Sequence, residues 1–595
     1  MASKAIKFLK EHQSEPPSRF AEDAAWRKEN ASWLRWSRQL AVALIGYMQA
    51  RKISMRKIRY IFSILFLLLT VFGGHSQSSV NTDSLVFCCR SNVPAIQVPN
   101  SKNEYIPYRP IVATPVLPDS VDVRLHEHKA FWRAGAETVG FNIGLWAFDR
   151  YVLQGHYAYI SWNTIKENFK HGFEWDDDHL HTNMFDHPYN GSIFFNAGRS
   201  NGFNFWQSEL FAIGGSAMWE MFMEKEYPST NDIIATPIGG AALGEVLYRT
   251  SDLILDDRSS GGERFGRELA AFFVDPMKGI NRIVTGAAWK KRATSGRRFG
   301  IPPISVELSL GGRYLLLIEN DEGSRAGAVA EINIEYGDRF AESTKAPYDY
   351  FSFLMELQGI KSQPLLSRVE ILGRLLSKEI VEKKDMDLNV GLYQHFDFFD
   401  SDTIRPERNA AYFPCSVPYK MGSPASIGGG AMFRYAPTKP MSFDGYLHLN
   451  GVILAGVLTD FYRDYHRNYN WGSGFSVKAG LNWALSDDRI SVKIANQFYK
   501  IYTWSGYDAN YDWSLTPEGK PVDVQGDASH SSFNHLEASV NYRLWKRLFL
   551  TGGIDFYSRI TEYTDMSIRL GNATITSPIV NSKQLGFHLM LTYRL

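Results

Sequence analysis

The chain has 595 residues, more than a single core usually holds, so we expect more than one structural unit. Its 64 Lys and Arg balance 63 Asp and Glu, which excludes the basic footprint of a nucleic-acid-binding protein. Aromatic residues make up 14%, a content that suits the aromatic girdles of a membrane barrel, with a large soluble β-rich protein as the alternative.

Residues 1–54 have the pattern of a soluble helical segment, with short amphipathic runs around Phe8 and Trp33. The stretch resembles the N-terminal lead of small helix-turn-helix repressors of the antitoxin type. In that family a DNA-reading element comes next, whereas here the chain continues into Met55 and an apolar run. No DNA-binding element is therefore implied. We expect residues 1–54 to be a start-assignment artefact or a fusion scar, with a genuine cytoplasmic extension as the alternative.

Residues 55–76 have the three parts of a secretory signal peptide. Basic residues in Met55–Tyr60 precede the apolar run Ile61–Phe72, and small residues follow up to an expected cleavage site after Ser76. The run is shorter than the about 20 apolar residues of a membrane-spanning helix, so an uncleaved anchor is only the alternative. The segment predicts export, and residues 77–125 have the composition of an extended leader.

Residues 126–290 predict a helical domain with glycine-rich packing faces. The expected helices are Phe131–Tyr151, Phe205–Glu224 and Ile233–Ile254. Small residues four apart let helix backbones approach closely. Each helix also carries charged groups that a lipid-facing helix would not tolerate. We therefore expect the helices to pack against each other in or under the β-barrel predicted for the following residues, as a plug or a collar.

Four short motifs of this domain follow one another along the chain. They are His187-Pro188, Trp219-Glu220, Pro228-Ser229-x-x-Asp232 and Gly244-Glu245. In this order they resemble a family of uncharacterised outer-membrane proteins common in Bacteroidetes, known as a domain of unknown function, over roughly residues 90–290. The resemblance implies the organism group and an envelope location, and it implies no activity.

An acidic loop rich in histidine precedes these motifs. Asp178, His179 and His181 are candidate ligands of a divalent metal, because imidazole and carboxylate groups together bind such ions. No metal signature such as HExxH accompanies them, and a solvated turn is the alternative. No other cofactor is predicted.

Three acid–base residues and one serine form the candidate catalytic set. His187 with Glu220 or Glu245 would form an acid–base pair, and Ser229, or Ser216 as the alternative, would be the nucleophile. The enzyme would be a hydrolase or acyltransferase acting on lipid or lipopolysaccharide. No GxSxG elbow surrounds Ser229. Hydrogen bonds that dock helices explain the same residues, so the sequence leans away from an enzyme. Convergence on one lipid-accessible cavity favours the enzyme, and satisfaction by backbone or Arg199 favours a structural role.

From residue 300 the dominant pattern has period 2, which indicates strands with one apolar and one polar face. It is clearest in Phe475–Leu485, Leu536–Leu544 and Leu585–Leu595. Each segment has about 10 residues, the length that a strand needs to cross a bilayer. The chain ends in an apolar strand, as outer-membrane barrels do, with Leu in place of the usual Phe. Residues 300–595 therefore predict an antiparallel transmembrane β-barrel of about twelve strands.

The predicted barrel carries expectations of location, partners and role. If the C-terminus lies at the periplasm, the tight turns at 486–488 and 545–547 lie on the periplasmic side. Most long connections then lie on the extracellular side, as in known membrane barrels. Residues 337–348 are an exception, because they form a long connection on the periplasmic side. We expect an outer-membrane location, contact with outer-membrane lipids and the barrel-assembly machinery, no nucleic acid, and a small-molecule ligand of unknown identity. The first functional hypothesis is a non-enzymatic barrel in transport, adhesion or envelope structure, and the integral lipid enzyme is the second.

Overall fold

The computed structural model describes residues 128–318, 324–341, 346–402, 417–438, 440–460, 468–485, 489–507, 523–564, 567–570 and 573–595. The antitoxin-like lead (1–54), the signal peptide (55–76) and the leader (77–125) lie outside the described residues. So does the tight turn expected at 486–488. All described residues belong to one compact unit, Phe87–Leu595.

The second half of the described chain consists of β-strands. The strands are β1 Ile304–Leu317, β2 Ser324–Tyr336, β3 Phe351–Gly359, β4 Leu366–Glu382, β5 Met386–Asp400, β6 Lys420–Thr438, β7 Met441–Leu458, β8 Tyr469–Leu485, β9 Ile490–Tyr502, β10 Ser529–Trp545, β11 Leu548–Tyr563, β12 Ser567–Leu570, β13 Ala573–Thr576 and β14 Ile579–Arg594. Strands β12 and β13 form a separate hairpin in the connection between β11 and β14.

The other twelve strands close into one antiparallel barrel. Strands β1 to β11 pair in sequence, and β14 completes the ring by pairing with both β11 and β1. Leu591 of β14 lies opposite Leu310 of β1 on one side and Leu550 of β11 on the other. These pairings confirm the predicted fold class and the expected strand count.

The two rims of the barrel differ in their connections. At the rim where β14 ends, here called the C-terminal rim, Leu595 donates its backbone N–H to Val306 at 2.9 Å, and β10 turns directly into β11. At the opposite rim, here called the far rim, the connections after β5, β7, β9 and β11 are long. The connection between β2 and β3 is long at the C-terminal rim, which is the exception expected from residues 337–348.

The barrel wall carries charged side chains inside, beside an aromatic cluster described below, and apolar side chains outside. Arg368 of β4 is 3% exposed and bonds Glu537 across the lumen, whereas Leu589 of β14 faces away from the lumen and is 59% exposed. A barrel folded in water has the opposite arrangement, because burial of apolar surface drives its folding. Residues facing away from the lumen are called the outer wall below.

Side chains fill part of the lumen. Phe399, Tyr419, Tyr499, Phe533 and Tyr557 are all at most 6% exposed and belong to one aromatic cluster drawn from both sides of the barrel. Two of the rings, those of Tyr419 and Tyr557, stack with centroids 4.2 Å apart. The lumen at this level is therefore a packed core.

In the described part of the chain, seven α-helices precede the barrel, and they are called the helical bundle below. They are α1 Phe131–Phe148, α2 Trp162–His171, α3 His187–Ser200, α4 Phe205–Phe222, α5 Asp232–Ile254, α6 Gly261–Val274 and α7 Pro276–Val284. Capping boxes at Ser161 and Asn204 fix the starts of α2 and α4, since each side chain accepts a backbone N–H of the first turn. Within the described residues, the helices all lack the combination of length and apolar character that crossing a membrane requires.

The pairing of α3 with α5 depends on glycine. A Cβ on Gly191 would lie 1.8 Å from the carbonyl oxygen of Thr236, and one on Gly240 would lie 2.5 Å from the carbonyl carbon of Gly191. Any larger residue would force the two backbones apart. The glycine spacing predicts a close approach of Ile233–Ile254 to another helix. Its partner here is α3, which was not among the helices expected from the sequence.

The helical bundle lies against the outer wall. Asp397 of β5 faces the lumen, where it bonds Lys478, so the neighbouring Phe398 faces outward. The Phe398 ring contacts the ring of His181, with centroids 5.7 Å apart. A Cβ on the outward Gly422 would lie 2.5 Å from Met184.

Further contacts tie the bundle to the wall and to the connection between β2 and β3. Gln394 Nε2 donates to the carbonyl oxygen of Ile238 in α5 at 2.9 Å, and Arg249 Nη2 donates to that of Pro347 at 2.9 Å. The bundle therefore lies beside the wall rather than in the lumen or under the rim, which differs from the sequence expectation. The reason is that charges of the bundle pair with one another inside it, as Arg199 does with Glu245.

Candidate functional site

A cluster of acidic residues and one histidine lies at the end of the bundle nearest the far rim. It consists of His187, Ser229, Asp176, Asp178, Asp232, Glu220 and Glu224, here called the acid–histidine cluster. His187 and Asp232 are the first residues of α3 and α5, and Glu220 lies in the last turns of α4. The loop that carries Asp176 is held against the start of α5, because Thr230 N donates to the carbonyl oxygen of Glu174 at 2.7 Å.

His187 lies between an exposed and a buried carboxylate. Its Nε2 is 3.8 Å from Asp178 Oδ2 and 3.6 Å from Asp232 Oδ2, and the side chain of Asp178 is 57% exposed. Burial lowers the pKa of His187, but the contact with Asp178 and the charge of Glu220 outweigh it and raise the pKa above its ordinary value.

A small cavity lies beside His187. Its volume is about 10 Å³, roughly the space of one water molecule. The cavity wall includes His187, Glu220, Ser216 and Thr236. The hydroxyl of Thr236 is buried and has no hydrogen-bond partner among the described residues. A polar group left without a partner in a buried site favours a bound water or ligand atom at this position.

Asp176 is the centre of a hydrogen-bond network. It accepts from Ser229 Oγ at 2.7 Å, from Asn231 Nδ2 at 2.8 Å and from Asn183 Nδ2 at 2.7 Å. Burial raises the pKa of Asp176, but the hydrogen bonds outweigh it and hold the pKa below its ordinary value. Burial and the nearby charge of Asp176 together raise the pKa of Asp232 well above its ordinary range. The pKa values of these two neighbouring carboxyl groups are therefore shifted in opposite directions.

A second pair of carboxyl groups, Glu220 and Glu224, lies one helical turn apart. Ser229 N donates to Glu220 Oε2 at 2.7 Å, and Trp219 Nε1 donates to Glu224 Oε2 at 3.1 Å. Burial raises the pKa of Glu220 to about 7, and burial together with the charge of Glu220 raises the pKa of Glu224 well above its ordinary range. A carboxyl group that titrates near neutrality suits general acid–base chemistry.

The cluster links its members through Ser229. This residue joins the two carboxyl pairs, since its N–H bonds Glu220 and its hydroxyl bonds Asp176. The Ser229 hydroxyl also accepts from the backbone N–H of Asp232, the first residue of α5, at 3.2 Å. Asp176, and not His187, therefore accepts the hydroxyl proton that a nucleophilic serine would have to give up.

Glu245 lies apart from the other catalytic candidates. It is 13 residues after Asp232 in α5, a distance of about 20 Å along the helix. Arg199 bonds both of its carboxylate oxygens, at 2.7 and 2.8 Å, and Arg249 Nε bonds Oε1 at 2.8 Å. Because Arg249 also reaches the carbonyl of Pro347, Glu245 helps attach the bundle to the barrel.

The three predicted metal ligands do not converge. His181 Nδ1 lies 3.2 Å from Asp186 Oδ2, Asp178 faces His187, and His179 is exposed. Among the described residues, His535, Glu537 and Asp555 in the lumen are the one group whose ligand atoms lie close enough to hold an ion. Arg368, Arg313 and Lys493 already neutralise its two carboxylates. The metal prediction at residues 178–181 stays a prediction without geometric support.

Sequence reasoning found part of the cluster. It named His187, Glu220 and Ser229, which the structure brings together, and Glu245, which the structure places elsewhere. It missed the central role of Asp176, the pairing of Glu224 with Glu220, and Thr236, which lines the cavity. These residues come from three separate segments, so no spacing in the sequence relates them.

Residues 172–277 match the family model DUF3943, described as a domain of unknown function. The match covers the acid–histidine cluster and agrees with the resemblance drawn from the four motifs. No curated protein matches the chain.

Solved structures with similarity to the chain are outer-membrane channels. A NanC porin is 11% identical with a TM-score of 0.20, covering 48% of this chain and 98% of its own. The toluene transporter TbuX of Ralstonia pickettii is 8% identical with a TM-score of 0.20, covering 49% and 90%. A KdgM porin is 7% identical with a TM-score of 0.18, covering 48% and 98%. Scores this low carry no argument about function.

Proposed function

We propose that the protein is an integral outer-membrane protein whose barrel spans the bilayer and holds the helical bundle on its outer wall. The observation that carries the proposal is the polarity of the wall, with ion pairs in the lumen and exposed apolar side chains outside. Burial in hydrocarbon stabilises such a wall, whereas water would not. The proposal includes a source among the Bacteroidetes, which rests on the resemblance of the four motifs.

Aromatic residues at the C-terminal rim support this placement. Five aromatic side chains point outward, are exposed and lie within a few residues of that rim, namely Tyr435, Trp483, Tyr542, Trp545 and Tyr593. Aromatic side chains of membrane barrels gather at the membrane–water interfaces in this way. The rim is therefore proposed to lie at the periplasmic interface.

The role that fits the barrel best is that of a scaffold in the envelope. The aromatic cluster around Phe399 and Tyr557 and the ion pair between Arg368 and Glu537 fill the lumen at their levels. These contacts favour a structural barrel over an open channel. Outer-membrane lipids and the barrel-assembly machinery are the proposed partners.

A substitution on the outer wall tests the proposal. Leu589→Arg places a charge in the apolar band, where it costs about 2–4 kcal/mol near the middle of a bilayer. We expect Leu589→Arg to lower the amount of protein in the outer-membrane fraction, with Leu589→Ile as the matched control. Equal recovery of both variants in that fraction would contradict the proposal.

A second candidate function is that of a lipid-modifying enzyme at the acid–histidine cluster. The observation in its favour is that His187, Glu220 and Ser216 line one cavity, where burial raises the pKa of Glu220 to about 7. The observation against it is that Arg199 and Arg249 satisfy Glu245. The cavity therefore favours the enzyme, whereas the pairing of Glu245 favours a structural role.

Lipid analysis separates these two roles. We expect His187→Gln to leave the barrel folded and, if the enzyme exists, to change the lipid A mass profile of the host. The exposed His179→Gln is the matched control and should leave the profile unchanged. An unchanged profile with both variants would remove the enzyme hypothesis.

A further inference from the structure

The helical bundle directly borders the apolar band of the outer wall. On β8, Trp471 is covered by the bundle, where its ring lies 5.8 Å from that of Trp175, and Phe475, four residues further along, is 44% exposed. On β6, Gly422 is covered by Met184, and Ile427 is exposed. Whatever surrounds the apolar band therefore also reaches the sides of the bundle.

Two helices of the bundle expose faces without charge. After Arg133, the exposed residues of α1 are Ala136, Val139, Gly140, Ile143, Gly144 and Phe148. Those of α4 include Trp206, Leu210, Ile213 and Phe222. A helix packed on a water-soluble protein carries polar and charged residues on this side.

The two apolar faces belong to one surface. Asn142 Nδ2 of α1 donates to the carbonyl oxygen of Gly215 in α4 at 3.0 Å, which holds the helices side by side. From Ala136 to Phe148 the apolar face of α1 extends about 18 Å along the helix. An exposed apolar surface of this extent marks a contact with a membrane or a partner.

Two charged residues of the same helices are directed into the bundle, whereas Arg133 at the start of α1 is exposed. Glu137 of α1 accepts hydrogen bonds from Asn201 and Asn281, and Glu220 of α4 belongs to the acid–histidine cluster. Exposed charges occur instead on α2, where Lys170 and Glu167 are 77% and 55% exposed. In lipid, charged side chains face the interior of a bundle in the same way.

We propose that the exposed faces of α1 and α4 contact the acyl chains of membrane lipid, so that this side of the bundle borders the lipid phase beside the barrel. Continuity with the apolar band of the barrel argues for lipid as the occupant of this surface. The inference rests on the proposed outer-membrane location of the barrel. It gives the second candidate function a substrate class, because lipid would then border the domain that holds the His187 cavity.

Spin-label accessibility tests the inference. Single cysteines are introduced by Ile143→Cys, Leu210→Cys, Leu589→Cys and Lys170→Cys after Cys88, Cys89 and Cys415 have been changed to Ser. Each full-length protein is labelled with a nitroxide and inserted into phosphatidylcholine vesicles. Collision with oxygen, which concentrates in lipid, is compared with collision with a water-soluble nickel chelate. Leu589 on the barrel wall is the lipid reference, and Lys170 on α2 is the water reference.

The inference predicts that labels at Ile143 and Leu210 have oxygen-to-nickel ratios close to that at Leu589 and several-fold above that at Lys170. High nickel collision at Ile143 and Leu210 would overturn it, because the faces would then lie in water. Low collision with both reagents would also overturn it, because another segment or chain would cover the faces. Nickel access at Leu589 itself would instead contradict the proposed location of the barrel.

Discussion

Arg368 of β4 and Glu537 of β10 meet across the full width of the barrel, with Nη2 2.9 Å from Oε2. The two strands are opposite each other in the closed ring, with five strands between them on either side. Lys493 bonds the other oxygen of Glu537 at 3.0 Å, and Arg368 also pairs with Glu370. The lumen is therefore held together by a charge network that joins distant strands.

Removal of one partner should destabilise the barrel strongly. Arg368→Met leaves Glu537 and Glu370 short of a buried counter-charge, and such a loss costs about 3–5 kcal/mol. The free energy of unfolding in detergent, followed by tryptophan fluorescence in urea, measures the effect. Lys361→Met on the exposed connection between β3 and β4 is the control. A change for Arg368→Met within about 0.5 kcal/mol of wild type, as at ordinary surface sites, would contradict the network.

The contact of the bundle with the outer wall should depend on Gly422. A Cβ there meets Met184 at 2.5 Å, so Gly422→Val should weaken docking by about 1–3 kcal/mol, as overpacked contacts do. Gly429 on the same strand also faces outward, and a Cβ there meets nothing within 4 Å, so Gly429→Val is the matched control. Trypsin should cleave the bundle faster in the first variant only, while the barrel stays folded. Equal cleavage would place the bundle elsewhere.

The acid–histidine cluster should make the bundle less stable as the pH rises. The pKa of Glu220 is raised from 4.5 to about 7, so the folded state binds more protons than the unfolded state between these values. Stability is then present below about pH 4.5 and is lost as the pH rises towards 7. The raised pKa values of Glu224, Asp232 and His187 act in the same direction, whereas the lowered pKa of Asp176 acts against them.

Glu220→Gln should reduce this pH dependence, because the amide stays neutral and keeps an oxygen for Ser229 N. Urea unfolding of the bundle at pH 5 and about pH 7.5 provides the measurement. Wild type should lose more stability between the two values than Glu220→Gln does. The same loss in both proteins would show that Glu220 is already ionised in the fold.

Glu245 should behave as a structural residue. Glu245→Gln leaves Arg199 and Arg249 without their shared counter-charge, which should cost about 3–5 kcal/mol of bundle stability. His187→Gln should cost much less, since its carboxylate partners lie at 3.6 and 3.8 Å and Asp178 is half exposed. Thermal unfolding of the two variants compares them. A stable Glu245→Gln protein with an altered lipid A profile would return Glu245 to a catalytic role.

The barrel was predictable because its signal is local. Alternation in β10, with Leu536 and Val540 outward and His535 and Glu537 in the lumen, is visible in one stretch of sequence. Closure and strand count then follow from repeating that pattern to the end of the chain. The polarity of the wall follows as well, because the charged residues of each strand share one face.

The position of the helical bundle was not predictable because it depends on distant partners. Glu245 and Arg199 are 46 residues apart, so the sequence shows two buried charges and not a neutral pair. Read singly, such charges argue against lipid, whereas in the structure they neutralise each other inside the bundle. In the same way Asp176 gains its importance from Asn183, Ser229 and Asn231, which only folding brings to it.

Heat-modifiable migration tests most directly whether the protein is a closed barrel in the outer membrane. The full-length protein is extracted from fractionated cell envelopes for this measurement. A closed barrel with this wall should sediment with the outer membrane, migrate faster when loaded unboiled, and shift to its full 67.6 kDa mass, or to that of the processed chain, after boiling. Recovery as a soluble periplasmic protein, with one mobility before and after boiling, would contradict the account.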